Sequence, residues 1–140
     1  MCMSFLFKAQ GIQQQYAAKA RADRLQANEN EKQSRLERTR ASIEAKREGD
    51  NADRLAGRQI ASFAENGIAI DGTALDYIED SATESGKDIE LIREGSKIKR
   101  DNLAFESDQL RTRAKNTQKA GKYAVFDAAV EEATKLVGAF

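Results

Sequence analysis

The chain contains no proline, no histidine and no tryptophan, and a single cysteine among its 140 residues. Each absence removes a class of structure or chemistry. Without proline, nothing interrupts a helix by ring geometry or by the loss of an amide donor. Without histidine, and with Cys2 alone, the chain can build no Ser-His-Asp triad, no Cys-His pair and no zinc site of His or Cys ligands. Cys2 has no intrachain disulfide partner. Neither GxGxxG nor GxxxxGK[ST] occurs, and Gly86-Lys87 lacks the upstream glycine of a phosphate loop. No run of eighteen apolar residues exists, so no helix is expected to span a bilayer alone. The opening Met1–Lys8 is apolar but short for a signal sequence, and no secretory address is expected. Asp and Glu are plentiful but sit on faces that read as solvated. The expectation is therefore no enzyme, no metal and no cofactor.

Large apolar side chains are also scarce. Leu, Ile, Val and Phe number 27, against 23 Ala. Lys plus Arg is 23 and Asp plus Glu is 23, so the net charge is zero at a charged fraction of 33%. A proline-free chain rich in Ala, Glu, Lys, Arg and Gln is built for long helices. The expected fold is all-α: a long antiparallel helical hairpin with a coiled-coil-type seam, plus a short C-terminal amphipathic helix. It reads as one elongated unit over 1–140. An apolar segment covers 1–11, a long helix 12–65, a bend 66–72, a second long helix 73–119 and a short helix 122–137.

In the first helix an irregularity is placed at Gly49-Asp50-Asn51. Between Ala17 and Gln59 its only large apolar side chains are Leu25, Leu36, Ile43 and Leu55. Such a thin, alanine-padded stripe suits a close seam between helices better than a monomeric core. The bend rests on Asn66-Gly67, which reads as a helix C-terminus, and on Gly72-Thr73, with Thr73 and Asp76 resembling a capping box. In the second helix Leu75, Ala82, Ile89, Ser96, Leu103 and Leu110 recur every seven residues, with Ile78, Ser85 and Ile92 offset by three. The oligomer contacts are placed on Leu75, Ile78, Ala82, Ile89, Ile92, Leu103 and Leu110. Gly86 and Gly95 permit close approach or a bend, or are simply tolerated. Gly121 reads as a break or kink. Beyond it Phe126, Val130, Ala133, Val137 and Phe140 line one face, so Phe126, Val130 and Val137 are placed as the docking side of the last helix. Each long helix would run about 70–80 Å. A compact globule of this length has a radius of gyration of about 14 Å, so a rod or a stave in a larger assembly is expected.

Charge has a layout despite its zero sum. Residues 63–94 carry nine acids and two bases, and residues 97–122 carry eight bases and three acids. Arg93, Lys97, Arg100, Arg111, Lys115 and Lys122 fall away from the seven-residue seam. They form either a solvated face that attracts the acidic end of a neighbouring copy, or a strip contacting nucleic-acid phosphates without reading sequence.

The region around the bend resembles a known family, the small internal virion (ejection or core) proteins of short-tailed bacteriophages. The resemblance is carried by Ile60-Ala61-Ser62, Gly72-Thr73-Ala74-Leu75-Asp76-Tyr77-Ile78, Asp88-Ile89-Glu90-Leu91-Ile92-Arg93-Glu94 and Lys99-Arg100-Asp101-Asn102-Leu103-Ala104-Phe105. The opening Met1-Cys2 followed by apolar residues is similar too. The resemblance spans roughly 55–120, and its motifs punctuate helices rather than carry chemistry. It implies a virion structural protein in rings or tubes of many copies, inside the capsid near the portal or on the tail axis. It implies portal, tail or core proteins as partners, and transfer to the host envelope at infection, where the outer membrane is the station of a genome conduit. It carries over no catalytic residue. The alternatives are a coiled-coil adaptor or scaffolding protein without a membrane role, and a nucleic-acid-associated helical protein.

Overall fold

The computed structural model describes residues 2–137. Two helices account for nearly all of them: α1, Cys2–Glu65, and α2, Thr73–Val137, packed against each other in a hairpin-like arrangement. The helix expected to begin at residue 12 begins at Cys2, because neither Gly11 nor any proline stops it. No irregularity occurs at Gly49-Asp50-Asn51. Gly49 is half-buried, and a Cβ there would lie 3.9 Å from Ile89 Cδ1, so it marks a place where the helices meet. The expected break at Gly121 is likewise absent, and the separate helices over 73–119 and 122–137 are one.

Gly121 has a different role. It is buried, and a Cβ on it would lie 2.7 Å from Tyr16 Cβ. Its missing side chain is the space that Tyr16 occupies. A glycine inside a helix costs about 1 kcal/mol relative to alanine, and here that cost is offset by close packing of the partner helix.

The bend falls at 66–72. α1 ends in a Schellman motif: Ile68 N–H donates to Phe63 C=O at 2.9 Å and Gly67 N–H to Ala64 C=O at 3.1 Å. Gly67 has φ +66°, which an L side chain resists. Asn66 Nδ2 donates to Ser62 C=O at 2.7 Å, a carbonyl that also accepts the Asn66 N–H at 3.2 Å. At the other side, Asp76 N–H donates to Gly72 C=O at 3.0 Å. Gly72, with φ +50°, thus holds the capping position, and Thr73 lies in the first turn instead of heading a capping box.

The chain divides into two compact units: a terminal unit, Met1–Lys32 with Leu103–Phe140, and a bend unit, Gln33–Asn102. In the terminal unit the positions turned toward the partner helix include Ala20, Ala27 and Asn30 on α1, and Ser107, Ala114 and Gly121 on α2, all buried. Ser107 Oγ donates to Ala27 C=O at 3.1 Å and Asn30 Nδ2 donates to Glu106 Oε2 at 3.2 Å. A side-chain hydroxyl that reaches a main-chain carbonyl of the other helix requires the two backbones to lie close.

The bend unit uses the same device. Ala41, Ala45 and Ser96 are buried, and Ser96 Oγ donates to Glu37 C=O at 3.3 Å. Gln59 Nε2 donates to Ser81 Oγ at 3.3 Å, while Gln59 Oε1 is buried without a partner. On α2 the more buried positions are Ala74, Ile78, Ser81, Ser85, Ile89, Ile92 and Ser96. Their spacing of 4, 3, 4, 4, 3, 4 repeats every 11 residues, as in 74, 85, 96, and α1 repeats likewise at 41, 52, 63. An 11-residue repeat corresponds to 3.67 residues per turn. A seven-residue row drifts about 20° per repeat on a straight helix. The row through Ile89 therefore rotates outward toward its start, and Leu75 and Ala82, expected in the seam, are exposed. Ile78, Ile89 and Ile92 here, and Leu103 and Leu110 in the terminal unit, are half-buried on the inward side.

In the last part of α2 the residues placed as its docking side do not dock on the chain's own hairpin. Phe126 and Val130 are exposed, and Ala124, Val125, Ala128 and Ala129 are the half-buried residues. The side chain of Val137, and Phe140 altogether, lie outside the described residues. The physical reason is again the close approach of the backbones, which admits alanine and not phenylalanine.

These glycines separate two outcomes. Gly121→Ala should destabilise the protein by about 1–3 kcal/mol through overpacking, despite alanine's better helix propensity. Gly86→Ala, with nothing within 4 Å of its Cβ, should stabilise it by up to about 1 kcal/mol. Urea unfolding followed by circular dichroism reads both, and equal shifts for the two variants would contradict the packing of Tyr16 on Gly121.

Candidate functional site

The most buried side chains between the helices are small, and the large apolar ones are half-buried beside them or exposed. The buried apolar residues are five alanines, Ala20, Ala27, Ala41, Ala45 and Ala114, and no large side chain is fully buried among the described residues. Exposure of scattered apolar side chains is ordinary. Ordered rows of them are not.

In the bend unit Leu36 and Ile43 stand seven residues apart on α1, 62% and 49% exposed. Leu91 and Ile98 stand seven apart on α2, 63% and 56% exposed. At about 100° per residue, Leu36 and Ile43 lie roughly opposite Ala41 and Ala45, and Leu91 and Ile98 roughly opposite Ser96 and Ile89. Each row thus lies away from the buried positions of its own helix, with Ile98 at the edge of a groove between the helices. In the terminal unit Phe7 and Leu25 on α1, and Phe105, Tyr123, Phe126 and Val130 on α2, are exposed.

Of the seam placed from the sequence, Ile78, Ile89, Ile92, Leu103 and Leu110 lie at the contact within the pair and Leu75 and Ala82 do not, and the outward row on α2 is an additional feature. Its signal was available. Leu91, Ile98 and Phe105 recur every seven residues, two positions on from the row that starts at Leu75.

The basic residues separate into two grooves. In the bend unit a groove of about 1090 Å³ is lined by Arg38 and Lys46 of α1 and by Arg93, Lys97 and Arg100 of α2. Glu90, Glu94 and Asp101 share it, so its charge is mixed. Arg100 is half-buried, and its Nε has no hydrogen-bond partner. In the terminal unit a groove of about 620 Å³ is lined by Lys115, Lys119 and Lys122, by the amides of Gln13 and Gln118, and by Tyr16 over Gly121. No acid lines it. Arg24 donates to Gln118 Oε1 at 3.0 Å and orients that amide. Of the six cations picked from the sequence, Lys115 and Lys122 lie in this acid-free groove, and Lys119 joins them unforeseen. Arg93, Lys97 and Arg100 lie in the mixed groove. Arg111 is engaged by Glu31 across the helix pair.

Elsewhere in the terminal unit Lys135 donates a hydrogen bond to Glu131. This bond, followed by the charge of Lys135, lowers the Glu131 carboxyl below its usual range, and Glu131 raises the Lys135 ammonium in turn. The pair is fully solvated. It supports the end of α2 between those two ranges. That support is lost as pH falls through the lowered carboxyl range or rises through the raised ammonium range.

Among the described residues no helix is long and apolar enough to cross a membrane, and no cluster of metal-ligating side chains occurs. Searches against protein-family models, curated proteins and solved structures returned no match to this chain.

Proposed function

We propose that this protein is a structural, self-assembling helical component of a bacteriophage virion, belonging to the internal core or tail machinery of genome ejection. In this reading it acts as a ring or tube of many copies with coiled-coil-type contacts, sits near the portal or on the tail axis, and enters the host envelope during infection. It does no chemistry of its own. The assembly part rests on one observation: in the bend unit each helix carries a row of large apolar residues, Leu36 and Ile43 on α1 and Leu91 and Ile98 on α2, away from its own buried positions. Covering a Leu or Ile side chain contributes about 1.5–3 kcal/mol, and a single copy leaves that contribution unused along its outward rows. The rows on α1 and α2 of the bend unit face opposite ways. A pairing through one row leaves the other uncovered, and covering both takes a ring or a tube. The phage assignment rests on the resemblance around the bend.

Light scattering after size exclusion tests this on the full chain, with and without lipid vesicles. Expected are defined masses at multiples of 15.5 kDa that grow with concentration, and leakage from the vesicles. A monomer at every concentration that leaves vesicles intact would overturn the reading.

A second reading, contact with nucleic-acid phosphates, is favoured by the acid-free groove of the terminal unit. Three ammonium groups and two carboxamides around a concave surface suit a phosphodiester chain, with no base-edge readout. Binding of a random-sequence oligonucleotide should weaken steeply with salt. Replacing Lys115, Lys119 and Lys122 by Gln should flatten the logarithmic salt dependence by about two to three units. Fluorescence anisotropy measures both, and binding indifferent to salt or to these substitutions would exclude the groove.

A further inference from the structure

The outward rows of the bend unit differ in the charge that surrounds them. On a helix, positions three and four residues away are the neighbours of a side chain. Around Leu36 and Ile43 these positions include Arg40, Lys46 and Arg47, and no acid. Around Leu91 and Ile98 they include Asp88, Glu94 and Asp101, with Lys87 the one base. None of these seven flanking charges forms an ion pair with another described residue. One row is apolar with a basic border, and the other is apolar with an acidic border.

We infer that the occupant of each row is the opposite row of a second copy of this chain: Leu36 and Ile43 on α1 of one copy pack on Leu91 and Ile98 on α2 of the next. Like rows cannot pair as well. An α1 row on an α1 row sets Arg40, Lys46 and Arg47 against the same three bases, and an α2 row on an α2 row sets acid against acid. Opposite rows bring the bases against Asp88, Glu94 and Asp101. Such a contact is heterologous, so each copy keeps one row free after binding, and growth continues until a ring closes or a filament forms. The inference deepens the assembly reading above and rests on it. It adds the faces, their polarity and the order in which copies join.

Two variants of the full chain test it. Leu36→Asp with Ile43→Asp spoils the α1 row and leaves the α2 row intact. Leu91→Asp with Ile98→Asp does the reverse. All four side chains are exposed, so both variants should keep the wild-type helix content by circular dichroism. Each alone should be a monomer by light scattering. Mixed in equal amounts, they should form a one-to-one pair and nothing larger, since each supplies the row the other lacks. Either variant dimerising by itself would show like rows pairing and overturn the inference. So would a mixture that stays monomeric while the wild type assembles. A wild type that never assembles is a separate result, and it removes the assembly reading itself.

Charge reversal gives a second route that spares the apolar side chains. Changing Arg40, Lys46 and Arg47 to Glu should weaken assembly by about 100-fold or more. Changing Asp88, Glu94 and Asp101 to Lys should do the same. Mixing the two reversed chains should restore assembly, because each modified row then meets its complement. Failure of the mixture to recover, with both chains folded, would overturn the proposed polarity.

Discussion

The close approach of α1 and α2 is the constraint on which the other features depend. Ser96 and Ser107 each place a hydroxyl on a carbonyl of the opposite helix, and Gly121 gives up its side chain to Tyr16. Helix backbones that near to one another leave room for Ala, Ser and Gly and for little else. Large apolar residues are then half-buried at the edges of the contact, as Ile78, Ile89 and Ile92 are, or stand behind it. The outward placement of Leu36, Ile43, Leu91 and Ile98 follows from the width of the gap. No special property of those side chains is needed.

The same constraint sorts the charges. Residues at the edges of the contact become cross-helix partners, as Glu37 does for Lys99 and Glu31 for Arg111. Residues beside the grooves stay unpaired and define surfaces, mixed in the bend unit and purely basic in the terminal unit. Exposed ion pairs stabilise by roughly 0–1 kcal/mol, so the cross-helix pairs fix register more than they add stability. Register is also set by Asn30 with Glu106 and by Gln59 with Ser81, polar contacts that a slip of one position would break.

Local features were legible in the sequence and the sidedness of the helices was not. Absence of proline and abundance of helix formers announced two long helices, and Asn66-Gly67 and Gly72 announced the bend, because left-handed backbone leaves few choices of residue. Gly121 was misread because its reason lies in Tyr16, 105 positions away. Within a helical run, a glycine that admits a partner and a glycine that ends the run look alike. The seven-residue row through Leu75 leaves the helix contact at its start because the buried positions follow an eleven-residue repeat, which a strict seven-residue spacing does not track. In a pair packed closely on alanine and serine, Phe126 and Val130 likewise stay outside the contact within the pair. The basic strip was visible as a strip. Its division into a mixed groove and an acid-free one depends on which α1 side chains face it, and spacing along α2 does not carry that information.

A hairpin joined by one short bend also has an order of formation written into it. Gln59 and Ser81 are 22 positions apart, while Arg24 and Gln118 are 94 apart. Loop-closure entropy scales as (3/2)RT ln n, so the longer loop costs about 1.3 kcal/mol more to close from the open chain. Pairing that starts beside Gly67 and Gly72 and advances like a zipper never meets that larger cost in one step. The groove of lysines near Tyr16 belongs to the part that pairs last on this route.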